Sequence, residues 1–162
     1  MQPRLLFTGG DDAFSVLVRG WTGSYATHAA IVIGDQVLHA VGKGVILEMR
    51  SALRTRYGYY DVAELEVLPD VSEGLRLASA QVGRRYDNLD VASRLLFVAL
   101  RGLLPWTARR AVNTPGAWTC ARFCMLLDPI GDRIPEWRHV DRTSVTPVDL
   151  LAVAGPSFRR VG

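Results

Sequence analysis

Three side chains in this sequence could do covalent chemistry together: the thiol of Cys120 and the imidazoles of His28 and His39. Cys120 stands in Gly116-Ala117-Trp118-Thr119-Cys120-Ala121-Arg122-Phe123-Cys124. Pro115 and Gly116 break the preceding structure, and Phe123, Leu126 and Leu127 then recur at helical spacing, which predicts a helix from Thr119 to Leu127. With Thr119 as N-cap, Cys120 falls in the first turn, where unpaired backbone N–H groups and the positive end of the dipole favour a thiolate. A lone cysteine is more often a small buried hydrophobe, so the chemistry depends on a base. Cys124, one turn further on, reads as core filler. Two cysteines four apart on one helix make a poor disulfide framework and lack the partners of a four-cysteine zinc site.

The candidate base comes from a hairpin. His28-Ala29-Ala30-Ile31-Val32-Ile33 and Gln36-Val37-Leu38-His39-Ala40-Val41 flank Gly34-Asp35, a two-residue turn signal. With that turn, Ala30 faces His39 and His28 faces Val41. Side chains alternate along a strand, so His28 and His39 share a face as diagonal neighbours. Ala30, Val32 and Val37 make that face largely apolar, while Ala29, Ile31 and Ile33 on the other side are core residues. Imidazoles on such a surface need partners. A structural role is the commoner fate of each histidine alone. The pair, with a thiol at a helix start, suggests a cysteine nucleophile, a histidine base and a second histidine that orients the first. The same three residues could hold zinc, but no His-x-x-x-His pair or cysteine cluster at metal spacing supports a metal, and no cofactor is expected. His139, in Glu136-Trp137-Arg138-His139, is the weaker candidate for either role.

Strands are predicted at Pro3–Thr8, the hairpin, Val45–Met49 after a turn at Gly42-Lys43-Gly44, and Tyr59–Leu68. A short helix spans Ala13–Arg19. Helices then follow at Val71–Val82, Leu89–Leu104, Trp106–Val112 and the cysteine helix. The stretch from Arg133 to Val145 is irregular or holds a strand. A last helix begins with Thr146 as N-cap and Pro147 in its first position. A sheet-rich part, 1–68, precedes a mainly helical part, 69–162, with no alternating strand–helix units. That order predicts an α+β fold, a small antiparallel sheet packed against helices. The 162 residues suit one domain.

Composition narrows the classes. The chain is 49% hydrophobic and 22% charged, as ordinary globular proteins are, and carries a net charge of +3. Its basic residues are arginines apart from Lys43 and are scattered, which reads as a solvated surface rather than a nucleic-acid face. The N-terminal apolar run is too short for a signal peptide, and the longest apolar stretch, Leu95 to Leu104, is broken by Arg101 and too short for a membrane span. A cytoplasmic location is the default expectation.

The ordered motifs resemble a known group. Thr27-His28-Ala29-Ala30-Ile31-Val32-Ile33-Gly34-Asp35 with Val37-Leu38-His39-Ala40-Val41 is similar to the histidine hairpin of circularly permuted NlpC-type papain-like proteins, which include YiiX/YaeF-like proteins and lecithin retinol acyltransferase-like enzymes. Gly83-Arg84-Arg85-Tyr86-Asp87 resembles their Gly-x-x-Tyr-Asp segment. Trp118-Thr119-Cys120-Ala121-Arg122-Phe123 matches the place of the cysteine helix, and Thr146-Pro147-Val148-Asp149-Leu150 that of the closing segment. Histidine first and cysteine last reverses the order of ordinary papain-like enzymes. The resemblance implies a permuted papain-like fold with Cys120 as nucleophile, His28 as general base and His39 as the residue orienting it. The third position is often glutamate in YiiX-like members and histidine in the acyltransferase-like ones, whose histidines tend to stand one residue further apart. Their Asn-Cys-Glu-His-Phe is Thr119-Cys120-Ala121-Arg122-Phe123 here.

The expected activity is therefore hydrolysis or acyl transfer at an amide or ester, of peptide or lipid, through a thioester. The Cys120 N–H and a donor among Ser24, Tyr25 and Thr27 would hold the oxyanion. Three rivals stand beside it: a zinc hydrolase built on the same residues, a non-catalytic papain-like binding module that keeps the pocket, and a peripheral lipid-surface protein that docks through Leu95–Trp106 and Arg109-Arg110.

Overall fold

The computed structural model describes residues 2–88 and 118–161, together with Ala92. The fold is α+β: a six-stranded antiparallel sheet with helices. The strands are β1 (Arg4–Gly9), β2 (His28–Ile33), β3 (Gln36–Val41), β4 (Gly44–Met49), β5 (Tyr60–Val67) and β6 (Phe158–Arg160), in the spatial order β4-β3-β2-β1-β5-β6. The helices are α1 (Ala13–Thr22), α2 (Ser51–Tyr57), α3 (Ser72–Ser79), α4 (Cys120–Cys124) and α5 (Pro147–Ala152). Single 3-10 turns cover Met125–Leu127 and Pro135–His139. The helices expected over Leu89–Leu104 (apart from Ala92) and Trp106–Val112, and with them the lipid-docking segment, lie outside the described residues. No helix among the described residues is long and apolar enough to cross a membrane.

The β2–β3 hairpin closes on Gly34-Asp35 with Ile31 opposite Leu38, Val32 opposite Val37 and Ile33 opposite Gln36. That is the register of a two-residue turn. Gly34 has a φ of 60° and Asp35 does not turn positive, the sign pattern of a type II′ turn, whose first central position suits glycine. The next hairpin, through Gly42-Lys43, sets Val41 opposite Gly44 and Val37 opposite Glu48.

Strand alternation gives the sheet two unlike faces. Leu5, Phe7, Ala29, Ile31, Leu38, Ala40, Ala63 and Leu65 form one, packed with Ala78 of α3, Phe123 and Cys124 of α4, and Trp137. Leu6, Val32 and Val37 lie on the other, covered by Leu53 of α2 with Tyr57 and Tyr59. The first face holds the main core, where burying a side chain such as Phe7 stabilises by roughly 1.5–3 kcal/mol.

The expected elements differ from the observed ones where apolar periodicity is thin. The cysteine helix is α-helical only to Cys124 and tightens into the 3-10 turn Met125–Leu127. There the buried Asp128 carboxylate accepts the backbone N–H groups of Gly131, Arg133 and Ile134 at 3.0, 3.2 and 2.7 Å and folds the chain away. Of the two alternatives for Arg133 to Val145 the irregular one holds, around the 3-10 turn Pro135–His139, and the mainly helical half ends in a strand, β6. α5 starts as expected, with Thr146 and Asp149 forming a reciprocal capping box and Pro147 in the first turn. Gly74 brings α3 against the end of the cysteine segment: a Cβ at Gly74 would stand 1.9 Å from the Leu127 carbonyl oxygen.

Candidate active site

The two histidines meet because the register requires it. His28, the first residue of β2, and His39 of β3 stand on the Val32–Val37 face, and His28 Nε2 lies 3.0 Å from His39 Nδ1. Both rings are buried. The contact continues outward: His39 Nε2 lies 2.9 Å from Glu48 Oε1, and Arg56 Nη1 donates to Glu48 Oε2 at 2.6 Å. β2, β3, β4 and α2 thus each contribute one member to a line running from a buried ring to a half-exposed guanidinium.

Two tyrosines close the rings into a circuit. His28 lies 5.2 Å from His39 and 5.3 Å from Tyr59, His39 lies 5.8 Å from Tyr57, and the two tyrosines stack at 5.5 Å, all between ring centroids. Each ring touches two others, which fixes the imidazole planes through packing as well as hydrogen bonding. Burial pushes the His28 pKa well below the ordinary histidine value, and the charge of a protonated His39 adds to the effect. Burial also lowers His39, opposed by its hydrogen bond and attraction to Glu48. Both imidazoles are therefore neutral near pH 7, the form a general base requires.

Cys120 begins α4, after Thr119 in extended conformation, and α4 packs against β2 and β3. The thiol is buried at 7% exposure, yet among the described residues it belongs to neither apolar cluster. The Tyr59 phenol is pushed up by burial and then by the charges of Asp12, Cys120 and Tyr57, so the ring that touches His28 is also within electrostatic range of Cys120. Cys124 is wholly buried in the main core, and burial raises its thiol well above the usual range, as for an inert structural cysteine.

The start of α4 is held by the Gly83–Asp87 segment. Gly83 N–H donates to the Val45 carbonyl and Val45 N–H to the Arg84 carbonyl, both at 2.8 Å, which ties the segment to β4. Trp118 N–H then donates to Arg85 and Asp87 N–H to Trp118, both at 3.0 Å. Arg122 Nη1 reaches the buried Asp87 carboxylate at 3.3 Å from inside α4. Gly44 permits the approach: its φ is +121°, and a Cβ there would lie 2.5 Å from the Arg84 carbonyl oxygen.

The three residues expected to offer an oxyanion donor separate clearly. Ser24 Oγ accepts the Ala26 N–H at 3.1 Å, and Tyr25 is 63% exposed beneath the Arg19 guanidinium. Thr27 is buried, and its hydroxyl has no partner among the described residues. The same is true of Thr8, directly opposite His28 in the β1–β2 ladder, and of Thr119, next to Cys120. Three unanswered hydroxyls therefore flank the residues singled out for chemistry, an arrangement that native interiors seldom leave without a purpose. His139 is exposed at the end of its 3-10 turn.

Glu48, Arg56, Tyr57 and Tyr59 were not expected from the sequence. The Gly42-Lys43 turn sets Glu48 diagonal to His39 on the same face, by the same register logic that brings His28 to His39. The tyrosines depend on where α2 packs, which no local pattern announces. Among the described residues no group of three His, Cys, Asp or Glu side chains is arranged to hold a metal ion. A scan of protein-family models and a search of curated proteins found no match to this chain.

Proposed function

We propose that this protein is a cysteine hydrolase or acyltransferase of the circularly permuted NlpC-type papain-like kind, with Cys120 as nucleophile, His28 as general base and His39 orienting His28. The observation that carries the reading is the buried His28–His39 hydrogen-bonded pair on a sheet whose strands β2 and β3 pack against the helix that Cys120 begins. His28 Nε2 is engaged by His39, which leaves Nδ1 to take the thiol proton.

In the first step the Cys120 proton passes to His28 Nδ1 and sulfur bonds to the carbonyl carbon of an amide or ester. The oxyanion is met by the Cys120 backbone N–H and by the Thr27 hydroxyl, the member of the expected trio that is buried and unbonded. Collapse breaks the bond to the amine or alcohol, which leaves with the proton held on His28. Water, or an acceptor in the transferase case, then gives a proton to His28, attacks the thioester and releases the thiol, which recovers that proton. The chain's cytoplasmic location and its peptide or lipid substrate belong to the same proposal.

The test is turnover against amide and ester libraries, after a thiol-directed probe has shown which substrates compete. Cys120→Ala should abolish turnover, about a thousandfold or more, while leaving the fold intact. Activity retained in that variant rejects the assignment.

A further inference from the structure

The line His28–His39–Glu48–Arg56 carries more than a two-histidine pair, because its outer end can act only one way. An ion-paired carboxylate offers no proton, so Glu48 Oε1 must accept from His39 Nε2–H across 2.9 Å. A neutral His39 with hydrogen on Nε2 has its lone pair on Nδ1. That lone pair, 3.0 Å from His28 Nε2, requires hydrogen on His28 Nε2 as well. The lone pair of His28 then stands on Nδ1, the nitrogen that faces neither His39 nor its carboxylate. Without the carboxylate the hydrogen-bonded pair could take either of two tautomer arrangements, and in one of them His28 Nδ1 carries hydrogen and cannot accept a thiol proton.

We infer that Glu48, held by Arg56, is a positioning residue that sets the tautomers of both histidines and so makes His28 Nδ1 the base. This rests on the cysteine hydrolase reading for its consequence in turnover, but not for its consequence in the rings themselves. Arg56 bonds the second Glu48 oxygen at 2.6 Å, which keeps that oxygen from competing for His39. Among the described residues, the titratable or charged groups that meet the pair or the Glu48 end of the line include Glu48 from β4, Arg56 and Tyr57 from α2 and Tyr59 ahead of β5, with Asp12 and Cys120 acting electrostatically on Tyr59. The two tyrosines meet the imidazoles through ring contacts, so Glu48 is the group that fixes proton position.

The test uses the full chain with 15N-labelled histidine and two-bond 1H–15N correlation at pH 7.5. The wild-type protein should show both buried rings as Nε2–H tautomers. Glu48→Gln, which keeps the shape but can accept or donate, should show mixed tautomers at His39 and His28 and lower kcat about tenfold or more. Glu48→Asp should restore the single tautomer in part. Arg56→Gln, at a half-exposed side chain, guards against a folding artefact and should weaken the bias with a smaller loss of kcat. An Nδ1–H tautomer at His39 in the wild type, or unmixed tautomers in Glu48→Gln, overturns the inference. Loss of the single tautomer in Glu48→Gln alongside an active Cys120→Ala protein would retain the inference and reject the catalytic reading.

Discussion

The two faces of the sheet are made by the same strands, one residue out of step. Phe7, Ala29, Ile31 and Leu38 point into a dry core shared with α3, α4 and Trp137. Thr8, His28, His39 and Glu48 belong to the alternate positions, where two tyrosines, a carboxylate and α2 cover them. The first face gives stability through area and fit. The second buries two imidazoles and the unanswered Thr8 hydroxyl, which apolar side chains would replace at a gain in stability. The proposed chemistry belongs to that second face, and α4, which Cys120 begins, packs against the two strands that carry the histidines.

Substitutions on each face should fail differently. His28→Ala should lower turnover by about a thousandfold, near 4 kcal/mol in barrier, while costing the fold far less; kcat alongside thermal unfolding tests this. Leu38→Ala, on the core side of the same hairpin, should do the reverse: about 3 kcal/mol of stability lost in urea unfolding, with kcat of the folded fraction nearly unchanged. Gly74→Ala should cost about 1–3 kcal/mol despite alanine's better helix propensity, because the new Cβ meets the Leu127 backbone and not a movable side chain.

The smallest effect is in pH. The folded-state pKa of His28 is depressed by burial, so below the ordinary value the unfolded chain binds a proton that the folded chain refuses. Stability should therefore hold above about pH 6.5 and fall as the pH drops below it, by at most about 1.4 kcal/mol per pH unit for each such histidine. Unfolding of wild type and His28→Ala at pH 7.5 and 5.5 measures the difference, which should shrink in the variant.

Much of the polar face was legible, and its limits are physical. A tight Gly34-Asp35 turn between two apolar runs fixes register, and register alone brings His28 to His39. Thr146-Pro147 announces α5 because capping is local. α2 escaped because Leu53 is its only buried residue, so Ser51–Tyr57 shows no apolar stripe. β6 has three residues, and its pairing with β5 joins segments more than ninety residues apart. The place of the Cys120 helix start depends on the packing of Gly83–Asp87 between β4 and the residues that lead into α4, which no periodicity encodes.

Limited alkylation with iodoacetamide at pH 7, read by peptide mass, tests the central claim most directly. Cys120 should be modified well ahead of Cys124, with the Cys120 rate falling about tenfold or more in His28→Ala. Labelling of Cys120 at the rate of an ordinary thiol, indifferent to the loss of His28, would contradict it.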